Sequence, residues 1–173
     1  MERLFGDDLV VALKRGNDNA WADFYDSIAG DLRSYVARIG ATSPDDVIGE
    51  TMLQVVRDIR KFKGSTADLR PWTFRIARNR VIDAARRRSR RPVESQLTAN
   101  ADRESDDPDA MIAGDLSSLL DQLTTDQRDA VWLRHVVGLS LNEVAEVMDK
   151  APDAVAALTH RALRRLRAAV GQP

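Results

Sequence analysis

The sequence centres on one predicted helix, Arg70-Pro71-Trp72-Thr73-Phe74-Arg75-Ile76-Ala77-Arg78-Asn79-Arg80-Val81-Ile82-Asp83. Proline is favoured at the first position of a helix, so the helix is expected to begin at Pro71, after a loop over residues 64–68. Phe74, Ala77, Val81 and Ala84 recur at three- and four-residue spacing and form its apolar arc. Arginines occupy much of the remaining surface.

The arginine cluster extends beyond this helix. Between Arg70 and Pro92 there are nine arginines and one acid, Asp83, which gives a local charge of +8. Ion pairs within a helix need acids three or four residues away, and most of these arginines have none. The cluster is therefore expected to bind an anionic partner, and guanidinium groups suit the phosphates of nucleic acid. The alternative is a solvated helix face.

The chain as a whole is nearly neutral, because its charges are segregated. Its 173 residues carry 26 Lys and Arg against 27 Asp and Glu. Residues 93–110 hold six acids and one arginine, whereas residues 159–173 hold four arginines and no acid. The segment 93–109 is polar and poor in apolar groups, so we expect a flexible acidic linker. It would join two small domains, 1–92 and 110–173.

Both predicted domains are helical, and the fold class is all-α. Apolar residues from Trp21 to Ile39 follow helical spacing, and Ser43-Pro44-Asp45-Asp46 is typical of a helix start. No segment alternates with a period of two, so no strand is predicted. Capping-box patterns at 124–127 and 140–143, with a final helix from about Asp153 to Val170, indicate a helix-turn-helix.

Several classes of protein are disfavoured. Cysteine is absent, and the two histidines, His135 and His160, are too far apart to form a short metal motif; His135 is expected to be partly buried on a helix. No glycine-rich phosphate loop and no nucleophile elbow appear. We therefore predict no catalytic residue, metal or cofactor. The lack of a long apolar run or signal peptide predicts a cytoplasmic protein without membrane insertion.

The order of these parts resembles the extracytoplasmic-function (ECF) class of bacterial RNA polymerase sigma factors, from about Leu9 to Leu166. Residues 45–56 are similar to the helix that docks on the clamp helices of the largest polymerase subunit. Residues 70–83 are close to the promoter-melting segment of sigma region two. Residues 120–166 are similar to sigma region four, with Leu123-Thr124-Thr125-Asp126-Gln127-Arg128 and Gly138-Leu139-Ser140 at family spacing.

The resemblance implies three sets of site residues. Core polymerase would contact Asp45, Asp46, Val47, Glu50 and Gln54. The minus-ten promoter element would contact Lys61, Lys63, Ser65, Thr66, Trp72, Arg75, Arg78, Asn79, Arg80, Arg86 and Arg87. The minus-thirty-five element would contact Ala154, Ala157, Thr159, His160, Arg161, Arg164 and Arg165. The implied partners are the largest and second-largest polymerase subunits, promoter DNA and an anti-sigma protein.

The sequence departs from the family pattern at two places. Gly49 replaces the usual glutamine in the polymerase-binding helix, which lowers helix propensity. Ala156, Ala157 and Leu158 occupy positions of the recognition helix that are usually polar or basic, and such side chains cannot hydrogen-bond to base edges.

Two other functions remain open on the residues alone. A stand-alone helix-turn-helix regulator would shift a specific duplex without polymerase. A helical adaptor that only sequesters another protein is disfavoured by the unpaired arginines.

Overall fold

The structure, a computed structural model, describes residues 8–90 and 119–170. Within these two ranges no strand is present, as predicted. The elements are α1 (Asp8–Lys14), α2 (Asp18–Arg38), α3 (Pro44–Asp58), a 3-10 turn (Ile59–Lys61), α4 (Thr66–Ser89), α5 (Thr125–Val131), a π-helical turn (Trp132–Val136), α6 (Leu141–Met148) and α7 (Pro152–Val170). The predicted linker 93–109 lies outside the described residues. We refer to residues 8–90 as the first block and to residues 119–170 as the second block.

The long helix α2 supplies much of the core of the first block. The Asn17 side chain caps its start by accepting the N–H of Ala20 at 3.0 Å. At its end Gly40 adopts a φ of 96°, and the N–H of Ala41 reaches the carbonyl of Val36 at 2.9 Å. The buried face matches the predicted spacing and comprises Ala20, Phe24, Ile28, Leu32, Tyr35 and Val36.

Helix α4 begins at Thr66, so the predicted loop through Asp68 is wrong. The Asp68 carboxylate accepts the backbone N–H and the hydroxyl of Ser65, both at 2.7 Å, and this pair caps the helix. The same hydrogen bonds lower the pKa of Asp68. Pro71 therefore lies inside the helix and is buried there. Because proline has no N–H, the carbonyl of Ala67 receives no helical hydrogen bond from it.

The second block contains the predicted helix-turn-helix, formed by α6 and α7. Both predicted capping boxes are confirmed: Gln127 N–H donates to the Thr124 hydroxyl and Glu143 N–H donates to the Ser140 hydroxyl, each at 3.3 Å. After the π-helical turn, Gly138 adopts a φ of 81° and redirects the chain into α6. Helix α7 begins at Pro152, one residue before the predicted start.

One apolar core joins the two blocks, a contact that the sequence does not predict. Helix α6 packs against α4, and the π-helical turn packs against α2. Phe74 is fully buried here, as expected from its place on the apolar arc. The first block contributes Leu32, Tyr35, Val36, Ile48, Phe74, Ala77 and Val81, and the second contributes Ala130, Leu133, Val137, Leu139, Val144, Ala145, Val147, Met148 and Val155.

Candidate nucleic-acid interface

The arginines of α4 lie in two different environments. Arg75, Arg86, Arg87 and Arg88 are exposed. Three others have acidic partners on other helices: Arg70 pairs with Asp31, Arg78 with Asp129 and Arg80 with Glu50. The expectation that most arginines are uncompensated is therefore wrong for these three. Their partners lie on α2, α5 and α3, where a search for acids three or four residues away cannot find them.

Arg78 belongs to a buried polar triad between the two blocks. Its Nε donates to Asp129 Oδ2 at 2.6 Å, and the hydroxyl of Tyr35 donates to Asp129 Oδ1 at 2.8 Å. Tyr35, Asp129 and Arg78 are 0%, 1% and 9% exposed. Asp126 lies 3.7 Å from Arg78 Nη2 and also pairs with Lys150 at 3.1 Å. The triad thus connects α2 and α4 with α5.

Burial is the largest single influence on the pKa of each group in the triad. It raises the pKa of Asp129, although the Arg78 guanidinium and the Tyr35 hydroxyl act in the opposite direction. Burial and then the charge of Asp129 raise the pKa of Tyr35 well above its usual value, so the hydroxyl remains a donor. Burial alone would lower the pKa of Arg78, but Asp129 reverses that direction. Both pKa values are thus raised, which disfavours the charged form of Asp129 and favours that of Arg78, because the carboxylate is the more deeply buried of the pair.

Arg70 forms a second polar contact between the blocks. Its Nη2 donates to Asp31 Oδ2 at 2.5 Å and to the backbone carbonyl of Val137 at 3.0 Å. The same guanidinium lies 5.7 Å from the centroid of the Phe74 ring. Arg70 therefore bridges α2, α4 and the segment that precedes α6.

The five residues predicted to contact polymerase lie on α3, but two of them also contact α4. Glu50 accepts a hydrogen bond from Arg80 Nη1 at 2.6 Å, and Gln54 Oε1 accepts one from Arg80 Nη2 at 2.9 Å. Asp45 is exposed and pairs with Arg33 of α2. Asp46 and Val47 line an open groove of about 520 Å³ between α3 and the end of α4.

Two exposed apolar side chains on α3 were missed by the sequence analysis. Leu53 is 57% exposed and Val56 is 50% exposed. The apolar stripe of α3 contains Ile48, Met52 and Val55, so positions 53 and 56 fall on the otherwise polar face. Apolar residues off the buried stripe were the signal that could have identified this surface.

An exposed stripe runs along α4 and combines an aromatic ring with cations. Trp72, Arg75, Asn79 and Arg86 follow spacings of three, four and seven residues, so they share one helix face. Arg75, Asn79 and Arg86 are exposed, and Trp72 is half-buried because its ring lies 4.7 Å from that of Phe62. Among the described residues Arg75 has no ion-pair partner, whereas Arg86 pairs with Asp83 at 3.7 Å.

The segment before α4 lies beside this stripe. Lys14 Nζ donates to the carbonyl of Phe62 at 2.7 Å and fixes the segment to α1. Lys61, Lys63 and Ser65 are exposed, and Thr66 is half-buried. Because the 3-10 turn ends at Lys61 and α4 begins at Thr66, the connection between them spans residues 62–65.

Helix α7 presents most of the predicted recognition residues to solvent. Val155 and Ala162 are buried and attach it to the second block. Thr159 is half-buried and donates to the carbonyl of Val155 at 3.0 Å, and Arg161 Nε donates to the carbonyl of Ala157 at 3.2 Å. The exposed members of the set are Ala154, Ala157, His160, Arg161, Arg164 and Arg165.

Other predicted features of the chain can be compared with the described residues. His135 is exposed, so its predicted partial burial is wrong. No cluster of histidine and acidic side chains suited to a metal ion occurs in residues 8–90 or 119–170. No helix in the part of the chain that the structure describes combines the length and apolarity needed to cross a membrane.

Comparison with protein families identifies both blocks. Residues 24–91 match sigma-70 region 2, and residues 113–166 match sigma-70 region 4. Together these two regions define a sigma-70-type sigma factor. The ECF RNA polymerase sigma factor SigD of Mycobacterium tuberculosis (strain CDC 1551 / Oshkosh) is 30% identical over 96% of this chain and 83% of its own length. The chain belongs to the ECF RNA polymerase sigma factors.

Further relatives and solved structures agree with this assignment. The ECF sigma factor BldN of Streptomyces coelicolor is 31% identical over 92% of this chain, which spans only 63% of BldN. The sigma factor RpoE of Bartonella quintana, solved with the anti-sigma factor NepR, matches with a TM-score of 0.63 and 25% identity over 84% of this chain and 94% of RpoE. CnrH, solved with the cytosolic domain of CnrY, shares the fold at a TM-score of 0.70 and 23% identity, over 95% of this chain and 96% of CnrH.

Proposed function

We propose that this protein binds core RNA polymerase and directs promoter recognition, DNA melting and transcription initiation. The observation that carries the proposal is the exposed stripe of α4, which presents Trp72, Arg75, Asn79 and Arg86 within a sigma-70 region 2 match. Guanidinium groups neutralise phosphates, and an aromatic ring can stack on an unpaired base. These are the two interactions that the binding of a separated DNA strand requires.

The polymerase-binding surface in this proposal is the outer face of α3. Leu53 and Val56 supply apolar area that remains exposed in the free protein, and Asp45, Asp46 and Glu50 supply charge at its edge. An interface of this composition, with an apolar centre and a polar rim, is typical of protein–protein contacts. We assign this face to the largest polymerase subunit and a surface of the second block to the second-largest subunit.

The minus-ten contacts fall into two groups in this proposal. Arg75, Asn79, Arg86 and Arg87 are exposed and can reach DNA as the chain stands, together with Lys61, Lys63 and Ser65 beside them. Arg78 and Arg80 reach DNA only if they leave Asp129 and Glu50. Upstream, α7 would contact the duplex through Arg161, Arg164 and Arg165, mainly at phosphates, because alanines occupy much of its exposed face.

Several broader features accompany this function. The chain would not act as an enzyme in its own right, since its contribution is binding and strand separation. It would work in the cytoplasm as two domains, 1–92 and 110–173, joined by the acidic linker 93–109. RpoE of Bartonella quintana was solved with an anti-sigma factor, and we infer that an anti-sigma protein also holds this chain inactive.

In-vitro transcription with purified core polymerase on a promoter library tests the proposal. Transcription is expected only when the protein is added. Leu53→Asp should weaken polymerase binding by at least about thirtyfold, as for the centre of an interface. Val11→Asp is the matched control, because Val11 is also exposed, at 44%, but lies on α1.

Two results would contradict the proposal. Transcription that does not depend on the added protein would reject a sigma factor. A specific duplex shifted by the protein alone, without polymerase, would instead support a stand-alone helix-turn-helix regulator.

A further inference from the structure

Arg80 of α4 connects that helix with α3, whose outer face is the polymerase-binding surface in the proposal above. Its Nη1 donates to Glu50 Oε2 at 2.6 Å, and its Nη2 donates to Gln54 Oε1 at 2.9 Å. Glu50 and Gln54 are four residues apart, so they are neighbours on one side of α3. One guanidinium therefore holds two neighbouring side chains of α3, each through a separate nitrogen.

The surroundings of Arg80 favour this contact over a contact with phosphate. Its side chain is only 26% exposed, and its Nε is buried and donates to no atom of residues 8–90 or 119–170. A guanidinium binds a phosphate best through two parallel N–H groups on one edge. In Arg80 the edge that includes Nε is enclosed, and the edge formed by Nη1 and Nη2 already holds α3. Arg75, on the same helix, is exposed and has neither restriction.

The contact with Arg80 also fixes which end of the Gln54 amide is free. Arginine has N–H donors and no acceptor, so the amide oxygen of Gln54 must face it, and the NH2 group is left to donate elsewhere. The Glu50 carboxylate is 61% exposed, so it can still accept from a partner while Arg80 holds one of its oxygens. The face therefore presents an acceptor at position 50 and a donor at position 54, beside the exposed side chain of Leu53.

We propose that Arg80 is a positioning residue of the polymerase-binding face, which orients Glu50 and Gln54, and that it is not a DNA contact. The assignment rests on the function proposed above, because core polymerase is the partner that would use this face. Unrestrained Glu and Gln side chains lose rotamer freedom when they are bound, and that loss weakens binding. Arg80 orders both side chains before the partner arrives. The matching polymerase surface would supply a donor or cation opposite Glu50 and an acceptor opposite Gln54, around an apolar contact with Leu53.

The first measurement is binding to purified core polymerase in the absence of DNA. Arg80→Met keeps most of the apolar stem and removes the guanidinium. In a titration of the fluorescently labelled protein, Arg80→Met should raise the Kd for core polymerase about tenfold, since two interface side chains are no longer ordered in advance. Arg15→Met is the matched control, because it removes the same charge at an exposed position outside α3 and α4, and it should bind as the unchanged protein does. A residue that contacts only DNA would not affect this equilibrium.

A double-mutant cycle separates positioning from a general structural effect. In a protein that already carries Glu50→Ala and Gln54→Ala, the addition of Arg80→Met should weaken core binding by less than about twofold, because the groups through which Arg80 acts are gone. A full tenfold loss in that background would show a direct contact or damage to the fold, and would overturn the positioning role. The midpoint of denaturant unfolding should stay close to that of the unchanged protein, since the exposed Glu50 carboxylate remains hydrated without Arg80.

Promoter binding by the holoenzyme, formed with saturating core polymerase, gives the complementary result. Over a salt series Arg80→Met should keep the slope of log affinity against log salt, whereas Arg75→Ala should reduce it by about 0.7. An equal reduction by Arg80→Met would return Arg80 to the DNA contacts and overturn the assignment.

The failure of this assignment can be distinguished from the failure of the proposed function. If the unchanged protein binds core polymerase and supports transcription while Arg80→Met binds core polymerase equally well, only the positioning role is rejected. If the unchanged protein neither binds core polymerase nor supports transcription, the proposed function is rejected, and the role of Arg80 is rejected with it.

Discussion

Replacement of Arg75 by alanine should change the salt dependence of promoter binding without changing the stability of the fold. Arg75 is exposed, and no ion-pair partner for it exists among residues 8–90 and 119–170. Its loss therefore removes one charge that we propose binds phosphate, and it breaks no ion pair within those ranges. Arg78→Ala should instead lower the stability of the free protein, because Arg78 is buried against Asp129.

The expected magnitudes differ enough to be distinguished. One phosphate contact to single-stranded DNA contributes about 0.7 to the slope of log affinity against log salt. When salt is raised from 50 to 200 mM, the fold-loss of affinity should therefore be about two- to threefold smaller for Arg75→Ala than for the unchanged protein. Arg78→Ala leaves the Asp129 carboxylate buried and without its cationic partner, at a cost of about 3–5 kcal/mol to the folded protein in which the blocks are packed together.

Both quantities can be measured on the same set of variants. Fluorescence anisotropy of polymerase holoenzyme on a labelled fork-junction promoter, over a salt series, gives the slope. Denaturant unfolding of the free protein gives the free energy of unfolding. Arg75→Lys is the matched control, since it keeps the charge and should keep the slope. Two results would refute the view that one side of α4 binds DNA and the other packs against the second block. One is an unchanged slope of log affinity against log salt for Arg75→Ala, and the other is an unfolding curve for Arg78→Ala that matches that of the unchanged protein.

Three further changes test other parts of the structure. Gly49→Ala should raise the free energy of unfolding by about 0.5–1 kcal/mol in a denaturant titration, because Gly49 is exposed within α3 and an added Cβ meets no atom within 4 Å. Phe74→Ala should lower it by about 3–5 kcal/mol, since the ring is fully buried in the core that the blocks share. Tyr35 has a raised pKa, so above pH 10.0 the unfolded chain loses this proton first and stability should fall by up to about 1.4 kcal/mol per pH unit. Tyr35→Phe should remove that part of the alkaline slope, while Tyr25→Phe, which alters an exposed ring, should retain it.

Local signals in the sequence were sufficient for most helix boundaries in the second block. The capping boxes that begin at Thr124 and Ser140 each join residues three positions apart. Such hydrogen bonds depend only on the local sequence, so they can be predicted from it. The start of α4 was misjudged for a related reason. Proline is common in a first turn, and the expectation placed on Pro71 obscured the pairing of Ser65 with Asp68 that caps the helix.

The partners of the arginines could not be found in the same way. Asp129 is 51 residues from Arg78 and 94 from Tyr35, so their proximity depends on how α5 packs against α2 and α4. A count of charges along the chain treats Arg78 and Arg75 alike. The difference between them is burial, and burial arises from the apolar surfaces that the two blocks share rather than from the arginine-rich segment.

The chemistry of the contact between the blocks affects how much free energy their separation would cost. A buried ion pair adds little net stability compared with apolar side chains of similar size, because both charges lose their hydration. That loss is recovered when the blocks separate, since the Arg78 guanidinium and the Asp129 carboxylate are rehydrated or find new partners. An interface built only of residues such as Leu133 and Phe74 would expose apolar surface when the blocks separate, and no rehydration of charged groups would offset that cost. The triad therefore fixes the mutual orientation of the two blocks and at the same time lowers the cost of separating them.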